Sequence, residues 1–102
     1  MSGKKMVRAR FREAVHARDD HRCRMCGAEG QLDAHHITDR NDMPGGGYVA
    51  ENGISLCHRC HMKAEAYHAS GHEVWEEGWH PDDLYEVIGS SHARAVRASE
   101  RL

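Results

Sequence analysis

Two Cys-x-x-Cys pairs, Cys23/Cys26 and Cys57/Cys60, constrain this chain more than any other feature. A chain of 102 residues, 39% of them hydrophobic, buries a core that is marginal alone, and domains of that size usually carry a staple. The cysteines can supply one as disulfides or as metal ligands. The sequence shows no secretory signal and no apolar run long enough to span a membrane, so a reducing compartment and a four-cysteine zinc site are expected. A redox role for Cys-x-x-Cys would need a βαβ context, of which the sequence gives no sign. Structural zinc contributes about 10 kcal/mol or more to the folding of small domains. Thirty residues separate Cys26 from Cys57, more than a simple zinc finger holds, so a functional element is expected between the two knuckles.

Charge is unevenly placed. The net charge of −2 argues against a nucleic-acid partner, yet residues 1–24 hold eight Lys or Arg against three acids and the remainder six against thirteen. That asymmetry suits a protein that meets phosphate with one side only. After a frayed Met1–Gly3, residues 4–18 read as an amphipathic basic helix. Val7, Phe11, Ala14, Val15 and the stem of Arg18 recur on one face, with Lys5, Arg8 and Arg12 on others. Asp19 and Asp20 end it. Residues 21–30 form the first knuckle, with Gly27 allowing the tight turn. Leu32–Ile37 alternates as a strand, so that His35 and His36 point to opposite faces.

Residues 38–51, with Pro44-Gly45-Gly46-Gly47, read as a connector without regular structure. Ile54–Leu56 is a second strand, and Cys57 to His68 a knuckle running into a helix. Successive helical residues diverge by about 100°, which lets Cys60 and His61 serve different sites. Glu73–Trp79 reads as a short strand or covering loop with Trp75 and Trp79 as packing groups. Pro81–Ile88 reads as a helix stopped by Gly89, and Ser90 or Ser91 caps a last helix with Val96 on its apolar side. His16, His21, His68, His72, His80 and His92 lack a motif and are expected at the surface.

His36, Asn52 and His61 are spaced sixteen and then nine residues apart, between and within the cysteine knuckles. Asn52-Gly53 alone would be a common hairpin dipeptide. Together with Leu32-Asp33-Ala34-His35-His36-Ile37 and Cys57-His58-Arg59-Cys60-His61, the triad resembles the HNH endonucleases over roughly Phe11 to Tyr67. The resemblance implies an α+β fold: a small ββα-metal (His-Me finger) core, here with an N-terminal helix, a four-cysteine structural zinc and C-terminal helices. One domain is expected over 1–102, divided into the basic helix at 4–18, the knuckle and core at 21–70 and a helical extension at 71–102.

The resemblance further implies a metal-dependent endonuclease that hydrolyses DNA phosphodiester bonds, nicking duplex DNA. His36 matches the general base, and His35 and His61 match ligands of a catalytic divalent metal. Asn52 matches a residue that orients the strand carrying the base. Family members often carry Asp where this chain has His35, which leaves the ion open among Mg2+, Mn2+, Ni2+ and Zn2+. Glu65, one turn after His61, stands where some colicin-like relatives place another ligand histidine; a solvated glutamate is the alternative. Lys5, Arg8, Arg12, Arg59 and Lys63, with His58, are candidates for phosphate contact. The implied partner is double-stranded DNA, with no membrane, in a cytoplasmic, bacterial or phage-like setting, either alone or within a larger nuclease or packaging complex. A zinc-dependent nucleic-acid-binding module without catalysis is the alternative function, and a protein-interaction zinc domain a third.

Overall fold

The fold is built on a hairpin of two four-residue strands, β1 (Asp33–His36) and β2 (Gly53–Leu56), paired antiparallel with His35 opposite Ile54 and His36 opposite Gly53. The computed structural model describes residues 3–102; of the stretch expected to fray, Met1 and Ser2 lie outside the described residues, while Gly3 is the first residue of a helix. Helix α1 (Gly3–Arg18) packs on the hairpin together with α2 (His58–Ala69), and two shorter helices follow, α3 (Pro81–Val87) and α4 (His92–Ser99). The α+β class expected from the sequence is the one observed. No helix among the described residues is long and apolar enough to cross a membrane.

Helix α1 buries Phe11 and Val15 against the sheet, with Val7 and Arg18 partly covered. Ala14, expected on that face, is exposed, because the buried stripe is narrower than the apolar pattern suggested. The helix comes very close to β2: a Cβ on Gly53 would lie 2.5 Å from Val15 Cγ2 and 2.7 Å from Phe11 Cε1. Beyond the sheet, Ile37, Ile54, Leu56, Leu84, Tyr85 and Ala95 share one cluster with Cys23 and Cys60, so the C-terminal helices complete the core. The last helix buries Ala95 and Ser99, while Val96 packs only at the edge. Trp79 is buried but Trp75 is 42% exposed, and residues 73–79 form no strand.

The segment expected to be an irregular connector instead contains three 3-10 turns, Arg40–Asp42, Pro44–Gly47 and Ala50–Asn52. Asp39 caps the first by accepting from the Asn41 N–H at 2.9 Å. Gly45 and Gly46 turn the chain in the left-handed region, at φ 59° and 83°, where a side chain would be strained. Helix α3 starts on a capping box that the sequence did not suggest, with His80 as its N-cap. At α4 the capping residue is Ser91, whose hydroxyl accepts from the Arg94 N–H.

Asp19 does more than end α1. Its side chain is fully buried and both oxygens are used: Arg18 binds it through two nitrogens at 2.8 and 2.9 Å, Arg24 at 2.7 Å and the Ser55 N–H at 2.8 Å. The same guanidiniums reach on to the carbonyls of Ala50, Gly53 and Val87, so one carboxylate links α1, the first knuckle, β2 and the end of α3. Burial pushes its carboxyl up, but the hydrogen bonds from Arg18, Ser55 and Arg24 outweigh that and hold it below the ordinary value. The stabilisation is therefore present above the unfolded value, about pH 3.9, and is lost as pH falls through the folded one. Asp19→Asn should cost about 3 kcal/mol in denaturant unfolding at neutral pH, the cost of removing one partner of a buried pair. The gap between the two proteins should narrow in acid, and a gap that stays constant with pH would contradict this role.

Candidate functional site

Cys23 and Cys26 turn back on themselves before β1, with Gly27 at φ +80°, while Cys57 and Cys60 open α2. All four cysteines are free, and their sulfurs lie within 4.8 Å of one another, with Cys26 and Cys57 Sγ 3.7 Å apart. Four sulfurs at about 2.3 Å from one tetrahedral ion would sit about 3.8 Å apart. Burial raises the Cys23 thiol, but the N–H groups of Cys57, Cys26 and Met25 outweigh it and bring the thiol down to about 7. Burial and the three neighbouring thiols push Cys60 well up. Such a set ionises together only around a cation, and the four cysteines could hold a metal ion.

A second cluster forms where β1 faces α2. Strand alternation sends Asp33 and His35 toward the helix, and helical spacing sends His61 and Glu65 back. Ligand atoms of His35, His61 and Glu65 lie within 4.8 Å of one another. His61 Nδ1 is 3.0 Å from Asp33 Oδ2 and donates to it, which leaves Nε2 as an acceptor facing Glu65 Oε2 at 3.2 Å. His35 Nδ1 is 3.4 Å from the same oxygen, and His35 Nε2 is buried without a partner. An imidazole lone pair and a carboxylate oxygen at that distance repel unless a proton or a metal ion lies between them. The His35 hydrogen bond holds Glu65 at about 2 although partial burial opposes it, and burial lowers His35. Glu65 thus stands at the edge of the cluster, its carboxylate against both imidazoles and its side chain 45% exposed.

His36 takes the other face of β1. Its ring stacks on Phe11 at 4.5 Å and meets the edge of Tyr48 at 4.8 Å. Burial, then His35 and Arg40, push its imidazole down to about 4, so it is neutral at physiological pH. Both histidines line a cleft of about 490 Å3 with Arg8, Arg12, Arg40 and Tyr48.

Asn52 stands just behind. It is fully buried and satisfies all four of its hydrogen-bonding positions. Oδ1 accepts from the Thr38 N–H at 3.0 Å and the Tyr85 hydroxyl at 2.7 Å; Nδ2 donates to the carbonyls of Thr38 at 3.0 Å and Gly47 at 3.2 Å. Burial raises Tyr85 to about 12, which keeps its proton available for that bond. The pair Asn52-Gly53 is therefore not the turn of a tight hairpin: Asn52 ends a 3-10 turn and Gly53 begins β2.

The basic candidates divide. Arg8 and Arg12 line the cleft, whereas Lys5, Arg59 and Lys63 do not; Lys63 lies 3.6 Å from Glu76 and over the Trp79 ring. Three histidines expected at the surface are partly buried. His16 Nδ1 meets Ser55 Oγ at 2.7 Å, His80 caps α3, and His68 lines the cleft and donates from Nε2 to the His36 carbonyl at 3.2 Å. Sequence reasoning missed His68 and Asp33, although His61, Glu65 and His68 follow the spacing of one helix face and Asp33 shares a strand face with His35. Nothing in the sequence pattern marks Arg40 or Tyr48.

Elemental analysis of the purified chain should find about one firmly held ion in the cysteine site. Cys60→Ser should lose that ion together with a cooperative melt, since a core this small depends on its metal staple. A variant that melts like the parent would contradict the metal assignment.

Residues 23–66 match the family model described as HNH endonuclease. No curated protein and no solved structure matches the chain. The matched segment begins at the first cysteine and ends just beyond Glu65, so it encloses both ligand clusters, the two strands and Asn52. Over residues 23–66 this chain is similar to the HNH endonuclease family.

Proposed function

We propose that the chain is a metal-dependent endonuclease that hydrolyses phosphodiester bonds of duplex DNA, with residues 3–102 acting as one domain. The observation that carries this is the convergence of His35, His61 and Glu65 beside a neutral His36 in a cleft bordered by arginines. HNH-family domains typically act on DNA. A binding module without catalysis would account for the cysteines and the basic helix, but it leaves this convergence without a purpose.

The four cysteines would hold a structural zinc, for which four clustered thiols are a fitting donor set. His35, His61 and Glu65 would hold a divalent cation that neutralises charge on the phosphate and on the leaving oxygen. Two imidazoles and one carboxylate suit Zn2+, Ni2+ or Mn2+ better than Mg2+. Asp33 fixes the ring of His61 and turns Nε2 toward the cluster. His36 takes the proton of the attacking water. With Nε2 enclosed and unpartnered, its Nδ1 is left to meet that water, and burial keeps the ring in the neutral form that a base must have. Asn52 grips both backbone groups of Thr38, and His68 grips the carbonyl of His36, so the chain is held at the base and just after it. Arg8 and Arg12 bind phosphate at the cleft edge.

His36→Ala should lower the single-turnover nicking rate by about 10² to 10⁴-fold while leaving metal content, melting and calorimetric affinity for the divalent ion near those of the parent. His61→Ala should weaken ion binding as well as rate, and excess metal should restore part of it. If His36→Ala cuts at the parental rate, or loses the ion as His61→Ala does, the division between base and ligand is wrong.

One cluster of this kind serves one strand per encounter. Supercoiled plasmid should pass first to open circles and become linear only later. Immediate linear product at every protein dilution would exclude a chain that acts singly.

A further inference from the structure

The cleft does not end at His36. A second cavity of about 460 Å3 opens between the first half of α1 and the segment between the strands, and the two cavities share Arg8, Arg40 and Tyr48. The cluster of His35, His61 and Glu65 lines only the first. The second has Lys4, Arg8 and Arg40 in its walls and no acidic side chain.

Lys4, Arg8 and Arg12 recur every four residues, so they form one stripe along α1. Arg40 comes from the opposite wall and donates to the Tyr48 hydroxyl at 3.1 Å. Elsewhere in the molecule Arg18, Arg22, Arg24 and Lys63 sit against carboxylates. Among the described residues Lys4, Arg8 and Arg40 have no such partner, and Asp39, the acid next to Arg40, is occupied in capping its own turn. Like charges gathered in a concave surface repel one another, and a ligand with regularly repeated negative charges relieves that repulsion.

We propose that this groove is a phosphate track: Lys4, Arg8, Arg40 and Tyr48 bind the phosphates of the cleaved DNA strand that flank the scissile bond on the side away from the metal-ligand cluster. The proposal rests on the reading of the cleft as one that acts on DNA. Arg8 and Arg40 present planar donor forks suited to phosphate oxygens, and Tyr48, held by Arg40 and leaning its edge on His36, adds a hydroxyl donor where the track meets the base. Such contacts fix the position of the strand and carry no sequence preference. The loop between the strands is thus a wall of the binding site.

Binding of the full chain to a fluorescent duplex, measured over a salt series without added divalent ion, tests this. Arg40→Gln and Lys4→Gln should each weaken binding several-fold, equally for unrelated sequences, and each should reduce the slope of log affinity against log salt by about 0.9, the double variant by about twice that. Arg97→Gln, an equal change of charge on the exposed face of α4, should leave the slope unaltered. Parental affinity and slope in Arg40→Gln would overturn the track, and so would a parent chain that binds no duplex. Plasmid nicking in parallel separates the two readings. A parent that nicks while Arg40→Gln binds normally condemns only the track; binding that depends on Arg40 in a parent that never nicks condemns only the nuclease.

Discussion

A buried carboxamide must find four partners or be destabilising, and Asn52 finds them in three separate elements of the fold. Thr38 continues the strand that carries the two site histidines, Gly47 belongs to the cleft-lining segment, and Tyr85 comes from α3. Each contact restricts the others, since a shift of any one element leaves a donor or acceptor unpaired in a dry interior. The position of His36 is thereby tied to the packing of helices that contribute nothing to the chemistry. Residues beyond the family match, Tyr85 foremost, are part of what holds the site in register.

Two fastenings of different kind support this arrangement. The cysteine cluster joins the first knuckle to the start of α2, and the Asp19 network joins the end of α1 to both knuckle and sheet. The first is a set of four thiols that could close around an ion from outside. The second consists of charges already in the chain, brought together at the cost of desolvation and balanced by two guanidiniums that remain partly wet. Neither touches the cleft, which leaves the side chains there free to carry unbalanced charge.

Much of this was legible in the sequence, for identifiable reasons. Cysteine spacing announced a staple, strand alternation separated His35 from His36, and helical divergence separated Cys60 from His61. Local periodicity of this kind carries no information about which residues meet across the fold. Asp19 looked like a helix stop because its partners, Arg24 and Ser55, lie on other elements. The segment from Thr38 to Glu51 looked formless because glycine-rich 3-10 turns have no repeating apolar pattern. His68 and Asp33 could have been found by extending the helix and strand periods by one more step, whereas Arg40 and Tyr48 acquire meaning only once the loop is folded against α1.

The absence of a side chain at Gly53 sets a working distance. Val15 and Phe11 rest almost on the backbone of β2, and Phe11 in turn carries the ring of His36. Helix α1 is therefore both a lid on the sheet and the carrier of the basic stripe, so a methyl group at residue 53 would act as a shim. It would lift the basic stripe of α1 and the Phe11 ring away from the hairpin together. The distance between the helix with its basic stripe and the hairpin that carries His36 is gauged, in this chain, by a single missing carbon.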